Sequence, residues 1–313
     1  MRVKKLRTVF MGTPEFSVPC LAKLNDISDV VAVITQPDKS RGRGKKLTPS
    51  PVKEYAIQKN LPVYQPERIK SADFIPVLEK LAPHLIVVVA FGQILPPAIL
   101  AIPKLGCINV HASLLPRYRG AAPMQWCLIN GETMTGVTTM FMDAGLDTGD
   151  MLQKAEVSID PEMTLSELYD ILSEKGARLL ETTIAAFLDG TLTREKQTDA
   201  ASNYAPPITK QTGKIDWTKS AYAIHDLVRA LDSWPGAYAA FEGTIYKIWR
   251  TRLADPDRKA APGEIMAMTE RGFLVGTGKG ILEVLEIQAP GKKRMAAADY
   301  LHGHPLSLPA RFD

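Results

Sequence analysis

The sequence predicts an α/β protein in two parts: a doubly wound, mostly parallel sheet, then a small antiparallel β-barrel. Three observations lead there. Through the first half, short β-branched runs alternate with capped helical stretches, as in parallel strands joined by crossover helices. A polar stretch with the double proline Pro206-Pro207 then interrupts the chain. Beyond it the apolar runs shorten, and glycine turns separate them at Glu242-Gly243, Arg271-Gly272 and Gly278-Lys279-Gly280.

The elements follow in order. "TVFMG" (8–12) and "VVAVIT" (30–35) are nearly continuous apolar runs, as expected of strands buried on both faces. A helix over 51–59 has Ser50 as N-cap, Pro51 at its first position and Asn60 beyond its end. A second is expected over about 72–81 behind Ser71, and a third over 121–129, stopped by Asn130-Gly131. Strands are expected at 84–92, 106–113 and 136–143. A long helix over about 165–189 has Thr164 and Glu167 as a capping box and Gly190 past its end. Its apolar stripe is Leu165, Leu168, Leu172, Leu179 and Phe187. The expected domains are therefore 1–189, a linker over 190–207, and 208–313, with a helix near 220–231 opening the last.

Composition narrows the class. With 313 residues the chain has room for a sizeable core, and 45% hydrophobic with 23% charged residues is an ordinary soluble profile. A net charge of +4 is too mild to imply nucleic-acid binding by itself. Cys20, Cys107 and Cys127 have no C-x-x-C spacing, which argues against a disulfide framework or a zinc site and for a reducing compartment. The basic start "MRVKKLRTVFMGTPE" carries an apolar run of only about five residues, too short for a secretion signal. No apolar segment approaches the length of a membrane span, so a cytoplasmic protein is expected.

The chemistry concentrates in "GCINVHASLLPRYRGAAP" (106–123). On a strand, residues two apart share a face, so Asn109 and His111 lie side by side with Ser113 next in the row. Such a row can serve core hydrogen bonding. It also supplies what addition to a carbonyl needs, an amide donor for the oxyanion and an imidazole to carry protons. An acid would orient and charge-balance the ring. "MDAGLDTGDML" (142–152) offers Asp143, Asp147 and Asp150 in a glycine-rich loop, and the spacing alone leaves all three open.

These residues carry a resemblance. "NVHASLLPRYRGAAP" with "MDAGLDTGD" resembles the signature of the 10-formyltetrahydrofolate-dependent formyltransferases. "MGTPEFSVPCL", "TQPDKSRGRGKKLTPSPVK" and "QAPGKKRM" are similar to the branch acting on charged tRNA, and the blocks span residues 11 to 295. The resemblance implies a Rossmann-like catalytic domain and a C-terminal OB-like domain that binds tRNA. It implies formyl transfer from 10-formyltetrahydrofolate, as co-substrate, to the amine of initiator methionyl-tRNA. It selects Asn109, His111 and Asp147 as catalytic, and the turn Ser113, Leu114, Leu115 and Pro116 as contacting the folate. "VVAFGQI" (88–94) would wall the pterin pocket, although core packing accounts for most of it. A monomer without a metal is expected.

The segment 36–53 holds Lys39, Arg41, Arg43, Lys45, Lys46 and Lys53 against the single acid Asp38, with Gly42 and Gly44 interspersed. A basic, glycine-containing loop suits phosphate contact, and the resemblance assigns Arg41, Arg43, Lys45 and Lys46 to tRNA. Lys292, Lys293 and Arg294 add charge in the last domain. Two other classes compete. A dinucleotide oxidoreductase would need G-x-G-x-x-G where the chain reads Gly12-Thr13-Pro14-Glu15-Phe16. A non-catalytic tRNA-binding protein would have no use for the Asn109, His111 and Asp147 set. Formyltransferases acting on a phosphoribosyl amine or a nucleotide-linked amino sugar would share that set, and the 36–53 loop is what favours tRNA.

Overall fold

The computed structural model describes residues 6–41 and 46–313. Strand β1 (Arg7–Gly12) leads through a short 3-10 turn to α1 (Val18–Ile27) and β2 (Asp29–Ile34). A hairpin of β3 (Lys39–Arg41) and β4 (Lys46–Thr48) precedes α2 (Pro51–Gln58), β5 (Val63–Tyr64) and α3 (Ile75–Leu81). Then come β6 (Leu85–Val89), α4 (Pro97–Leu100), β7 (Cys107–His111), β8 (Arg119–Gly120) and α5 (Pro123–Ile129). They are followed by β9 (Met134–Phe141), β10 (Met151–Ser158), α6 (Leu165–Leu188) and β11 (Tyr204–Ala205).

The main sheet has the order β10-β9-β7-β6-β1-β2-β5. Its five strands from β7 to β5 run parallel, while β9 and β10 are antiparallel additions. The chain winds one way from β1 to β5 and the other way from β6 to β7. The reversal therefore falls between β1 and β6, where such sheets bind ligands beyond their carboxyl ends. Gly12 pairs with Val89 at that point, and a Cβ on it would come 2.9 Å from the Val89 carbonyl oxygen. Val9, Met11, Ile34, Ile86 and Val88 are buried under this sheet with Phe74, Leu78 and Ile99.

One expectation needs correction. The helix expected from about 72 begins at Ile75, and Ser71 does not cap it, because the N-cap is Phe74 with no side-chain bond. Pro76 explains the start: it lacks an N–H and fits only the first helical turn. Ser71 instead accepts the Phe74 N–H through its own carbonyl at 3.1 Å. The stretch after 190, expected as a linker, makes backbone bonds of its own. Glu195 exchanges both backbone hydrogen bonds with Met151, at 2.8 and 2.9 Å.

The chain forms two compact units. One comprises the chain up to Gly120, Met134–Ser158 and Tyr169–Tyr204; the other comprises Ala121–Thr133, Ile159–Leu168 and Ala205–Asp313. Within the second, α7 (Ala221–Ala230) is capped by Ser220, whose hydroxyl accepts the Ala223 N–H at 3.2 Å. Strands β12 (Ala237–Phe241), β13 (Thr244–Asp255), β14 (Glu264–Met268), β15 (Phe273–Gly276), β16 (Ile281–Gln288), β17 (Met295–Ala296) and β18 (Ala310–Arg311) follow, with α8 (Ala297–Gly303) before the last. They form a curled, wholly antiparallel sheet in the order β12-β13-β16-β15-β14-β18, with β17 on β16. The Asp313 N–H reaches the Ala240 carbonyl at 2.9 Å, drawing the two ends of the sheet together. Trp217 stacks on Phe312 at 5.2 Å inside, beside Ile248, Val275, Leu282 and Val284. Among the described residues no helix is long and apolar enough to cross a membrane.

Candidate active site

Strand β7 lies between β6 and β9, and its pleat aims Asn109 and His111 to one side, as their spacing predicts. Asn109 sits opposite Val88 on one flank and Met140 on the other, and His111 opposite Thr138. Met142 to Asp150 fold back as a loop that brings Asp147 to them. The Asn109 Nδ2 lies 3.5 Å from Asp147 Oδ1, and His111 Nδ1 lies 3.7 Å from Asp147 Oδ2. The second separation is an ion-pair distance for a charged ring, too long for a hydrogen bond.

The contact that fixes the ring comes from elsewhere. His111 Nε2 is 2.9 Å from the Tyr118 carbonyl oxygen. A carbonyl can only accept, so Nε2 carries a proton, and in the neutral ring Nδ1 is the bare nitrogen facing Asp147. The side chains of His111 and Asp147 are 7% and 16% exposed, so their attraction is screened less than that of a surface pair.

Asp143 and Asp147 differ in what their carboxylates bind. Asp143 is spent on its own loop, its Oδ1 accepting from Gly145 N at 3.0 Å and from Thr148 Oγ1 at 2.7 Å. Asp147 faces the strand, and its Oδ2 accepts the Gly120 N–H at 2.9 Å. Asp147 holds φ at +54°, and Tyr118 holds +59°. Both are left-handed, tolerable for aspartate and unusual for tyrosine, and such backbone costs about 1–3 kcal/mol each. Gly149 is required at its position, since a Cβ there would meet the Phe141 carbonyl oxygen at 1.9 Å.

The turn after β7 divides by burial. Ser113 is fully buried, and its hydroxyl donates to the Arg117 carbonyl at 2.7 Å. Leu115 is buried against Met140 and Met151, and its N–H donates to Thr138 Oγ1 at 3.1 Å. Leu114 and Pro116 are half-buried. In the 88–94 stretch Val88, Val89 and Phe91 are buried, whereas Ile94 is 79% exposed. The Phe91 carbonyl is held by Thr13 Oγ1 at 3.1 Å and Gln36 Nε2 at 3.2 Å.

Of the basic segment, Arg43 and Lys45 lie outside the described residues, and Arg41 and Lys46 are described as backbone of the β3–β4 hairpin. Lys53 is taken up locally, its Nζ 2.7 Å from Asp38 Oδ2. That ammonium and the Gln65 amide hold the Asp38 carboxyl below its ordinary range. In the second unit Arg294 pairs with Glu286 and lies 5.5 Å from the Trp249 ring centre, while Lys292 and Lys293 are exposed. Sequence reasoning missed the Tyr118 carbonyl, the Gly120 N–H, and Gln197 and Asn203. Gln197 Nε2 donates to the Asp147 carbonyl, and Asn203 Oδ1 accepts the Tyr118 N–H at 2.6 Å. One available signal was the length of the unstructured stretch after α6, because long structureless loops in compact proteins are commonly functional.

Comparison with known proteins identifies the family of the chain. A model of the formyl transferase family matches residues 6–184, and one of the formyl transferase C-terminal domain matches 207–305. The chain is 50% identical over 302 residues to a methionyl-tRNA formyltransferase of Clostridioides difficile, covering 96% of this chain and 98% of that protein. It is 51% identical over 299 residues to a methionyl-tRNA formyltransferase of Geobacter metallireducens, covering 95% and 96%. Among solved structures, an N-formyltransferase from Helicobacter canadensis in complex with folinic acid and dTDP-3-aminofucose shares the fold. Its TM-score is 0.66 at 21% identity, over 90% of this chain and 99% of that one.

Proposed function

The chain belongs to the formyl transferase family, and from that premise we propose that it formylates methionyl-tRNA. The formyl group passes from 10-formyltetrahydrofolate to the α-amine of the methionine, giving N-formylmethionyl-tRNA for translation initiation, and tetrahydrofolate. The observation that carries the reaction is the convergence of the Asn109 amide, the His111 ring and the Asp147 carboxylate at the end of β7. The full-length likeness to methionyl-tRNA formyltransferases supports tRNA as the acceptor.

We infer the following chemistry. The amine nitrogen bonds to the formyl carbon, and the carbonyl electron pair moves onto oxygen. Asn109 donates an N–H to that oxyanion. His111, its Nε2–H held by the Tyr118 carbonyl, receives the amine proton at Nδ1. Asp147 supplies the counter-charge to the imidazolium so formed. As the bond from carbon to N10 breaks, the proton passes from Nδ1 to N10, and the ring returns to its starting state. The folate lies along the turn 113–116, using its backbone and the half-buried Leu114 and Pro116. The buried side chains of Ser113 and Leu115 shape that turn. The likeness to bacterial translation enzymes supports a cytoplasmic setting.

The basic segment is assigned to the tRNA acceptor end, with Arg43 between Gly42 and Gly44 as its leading contact. Arg43→Ala should cut formylation of methionyl-tRNA, leave folate affinity unchanged and make tRNA binding shallower in salt by about 0.7–0.9 in log–log slope. Weakened folate binding, or no change in any of these, would remove the segment from tRNA recognition. The acceptor itself is tested by offering 10-formyltetrahydrofolate with methionyl-tRNA, a nucleotide-linked amino sugar or a phosphoribosyl amine. Methionyl-tRNA should be the one formylated efficiently, and faster turnover of either small amine would overturn the proposal.

A further inference from the structure

Gln197 lies in the stretch read from sequence as a connector, between the exposed Lys196 and Thr198, yet is itself half-buried. Its amide is fully used. Nε2 donates to the carbonyls of Asp147 and Gly149, both at 2.8 Å, and Oε1 accepts from Arg119 Nε at 2.9 Å. Arg119 is held in turn by Asp199, 2.9 Å from its Nη1. One side chain thus grips the aspartate loop on both sides of Thr148 and, through Arg119, the 117–120 turn.

Both gripped segments end at His111. The aspartate loop carries the carboxylate 3.7 Å from Nδ1, and the turn carries the Tyr118 carbonyl 2.9 Å from Nε2. The residue after Arg119 closes the connection, its N–H donating to Asp147 Oδ2 at 2.9 Å. Asp147 and Tyr118 are also the left-handed non-glycine residues of these segments, at φ +54° and +59°. Chain in that region relaxes unless its neighbours hold it. The two hydrogen bonds from Gln197 fall on Asp147 itself and two residues beyond, where holding is needed.

We propose that Gln197 is a positioning residue for formyl transfer, its amide clamping the Asp147 loop against the 117–120 turn so that both anchors of the His111 ring stay in register. The inference rests on the proposed function. Gln197 bonds only to backbone and to Arg119, so it acts through Asp147 and His111 and never on the reacting atoms.

Gln197→Glu separates this role from simple packing. It keeps the length and an acceptor for Arg119, loses both donors, and sets a carboxylate against two carbonyls. With methionyl-tRNA and 10-formyltetrahydrofolate, kcat per folate-binding molecule should fall by about tenfold to a hundredfold with both KM values little changed. Melting temperature and folate stoichiometry report the folded fraction. In an Asp147→Ala background, where no carboxylate remains to place, Gln197→Glu should add almost nothing to the loss. Gln197→Asn keeps both donors on a shorter arm and should recover part of kcat. A normal kcat per folded molecule, a loss confined to KM, or an equal proportional loss in the Asp147→Ala background would overturn the inference. A wild-type chain that formylates no methionyl-tRNA would instead overturn the function beneath it.

Discussion

His111 donates one short hydrogen bond, from its Nε2 to the Tyr118 carbonyl, and makes one longer electrostatic contact, from its Nδ1 to Asp147. The first fixes the tautomer and the second matters once the ring is charged, so the proposed mechanism makes the two residues one unit. In the His111→Ala/Asp147→Ala double variant, turnover should therefore be scarcely lower than in the poorer single variant. Fully multiplicative losses would show independent action. The cysteines differ in kind. Burial pushes the Cys20 and Cys107 thiols up to about 12, with the Glu174 charge adding to the effect at Cys20. Both should resist a thiol reagent in the native protein at neutral pH and react once it is unfolded, and fast native labelling of either would contradict their burial. In the unfolded chain a thiol ionises from about pH 8.5, whereas these stay protonated when folded. The unfolded state then binds fewer protons, so stability falls as pH rises from there toward 12. The period-two spacing made the Asn109 and His111 pair legible in the sequence. It did not separate Asp143, Asp147 and Asp150, since only the folded loop shows that Asp143 is tied to Gly145 and Thr148. The ring's anchor left no trace in sequence, because a backbone carbonyl is common to every residue.

At the scale of elements, signals in side chains were legible and signals in backbone were not. The capping box of α6 forms as its residues imply: Thr164 N donates to Glu167 Oε2 at 2.8 Å, and Glu167 N points back to Thr164 Oγ1 at 3.4 Å. Thr164→Ala should lower stability by about 1 kcal/mol in urea unfolding, and an unchanged midpoint would show the cap idle. The bonds from Thr164, first through its backbone N–H and then its hydroxyl, hold the Glu167 carboxyl below its ordinary range. A depressed carboxyl contributes above its free value, near 4.3, and its contribution is lost as pH falls through the folded value. The gap between wild type and Glu167→Gln should therefore close on acidification, and a gap that widened would reverse the sign. Strand β10 escaped the sequence reading because "MLQKAEVS" is a polar-alternating edge with one face in solvent. Helix α3 began late because Pro76, not Ser71, set its first turn.

At the scale of the molecule, the parallel sheet and its crossover pattern fix where chemistry can occur, and the curled antiparallel sheet follows the glycine turns that announced it. The ties made by the stretch after α6, expected as a linker, were not legible in the sequence for a physical reason. Its ties run through single side chains and backbone, Gln197 to the Asp147 loop and Asn203 to Tyr118, so no apolar period marks them. What the whole molecule does is carried by one claim: an amide, an imidazole and a carboxylate gathered at the end of β7 move a formyl group from folate to methionyl-tRNA. The most direct test is single-turnover transfer from 10-formyltetrahydrofolate to methionyl-tRNA, enzyme in excess, with wild type beside a folded Asn109→Ala. The wild type should complete the transfer. Asn109→Ala should bind folate normally and transfer about 10²–10³ times more slowly, equivalent to about 3–4 kcal/mol of lost oxyanion stabilisation. A transfer rate near that of the wild type in Asn109→Ala would contradict the account.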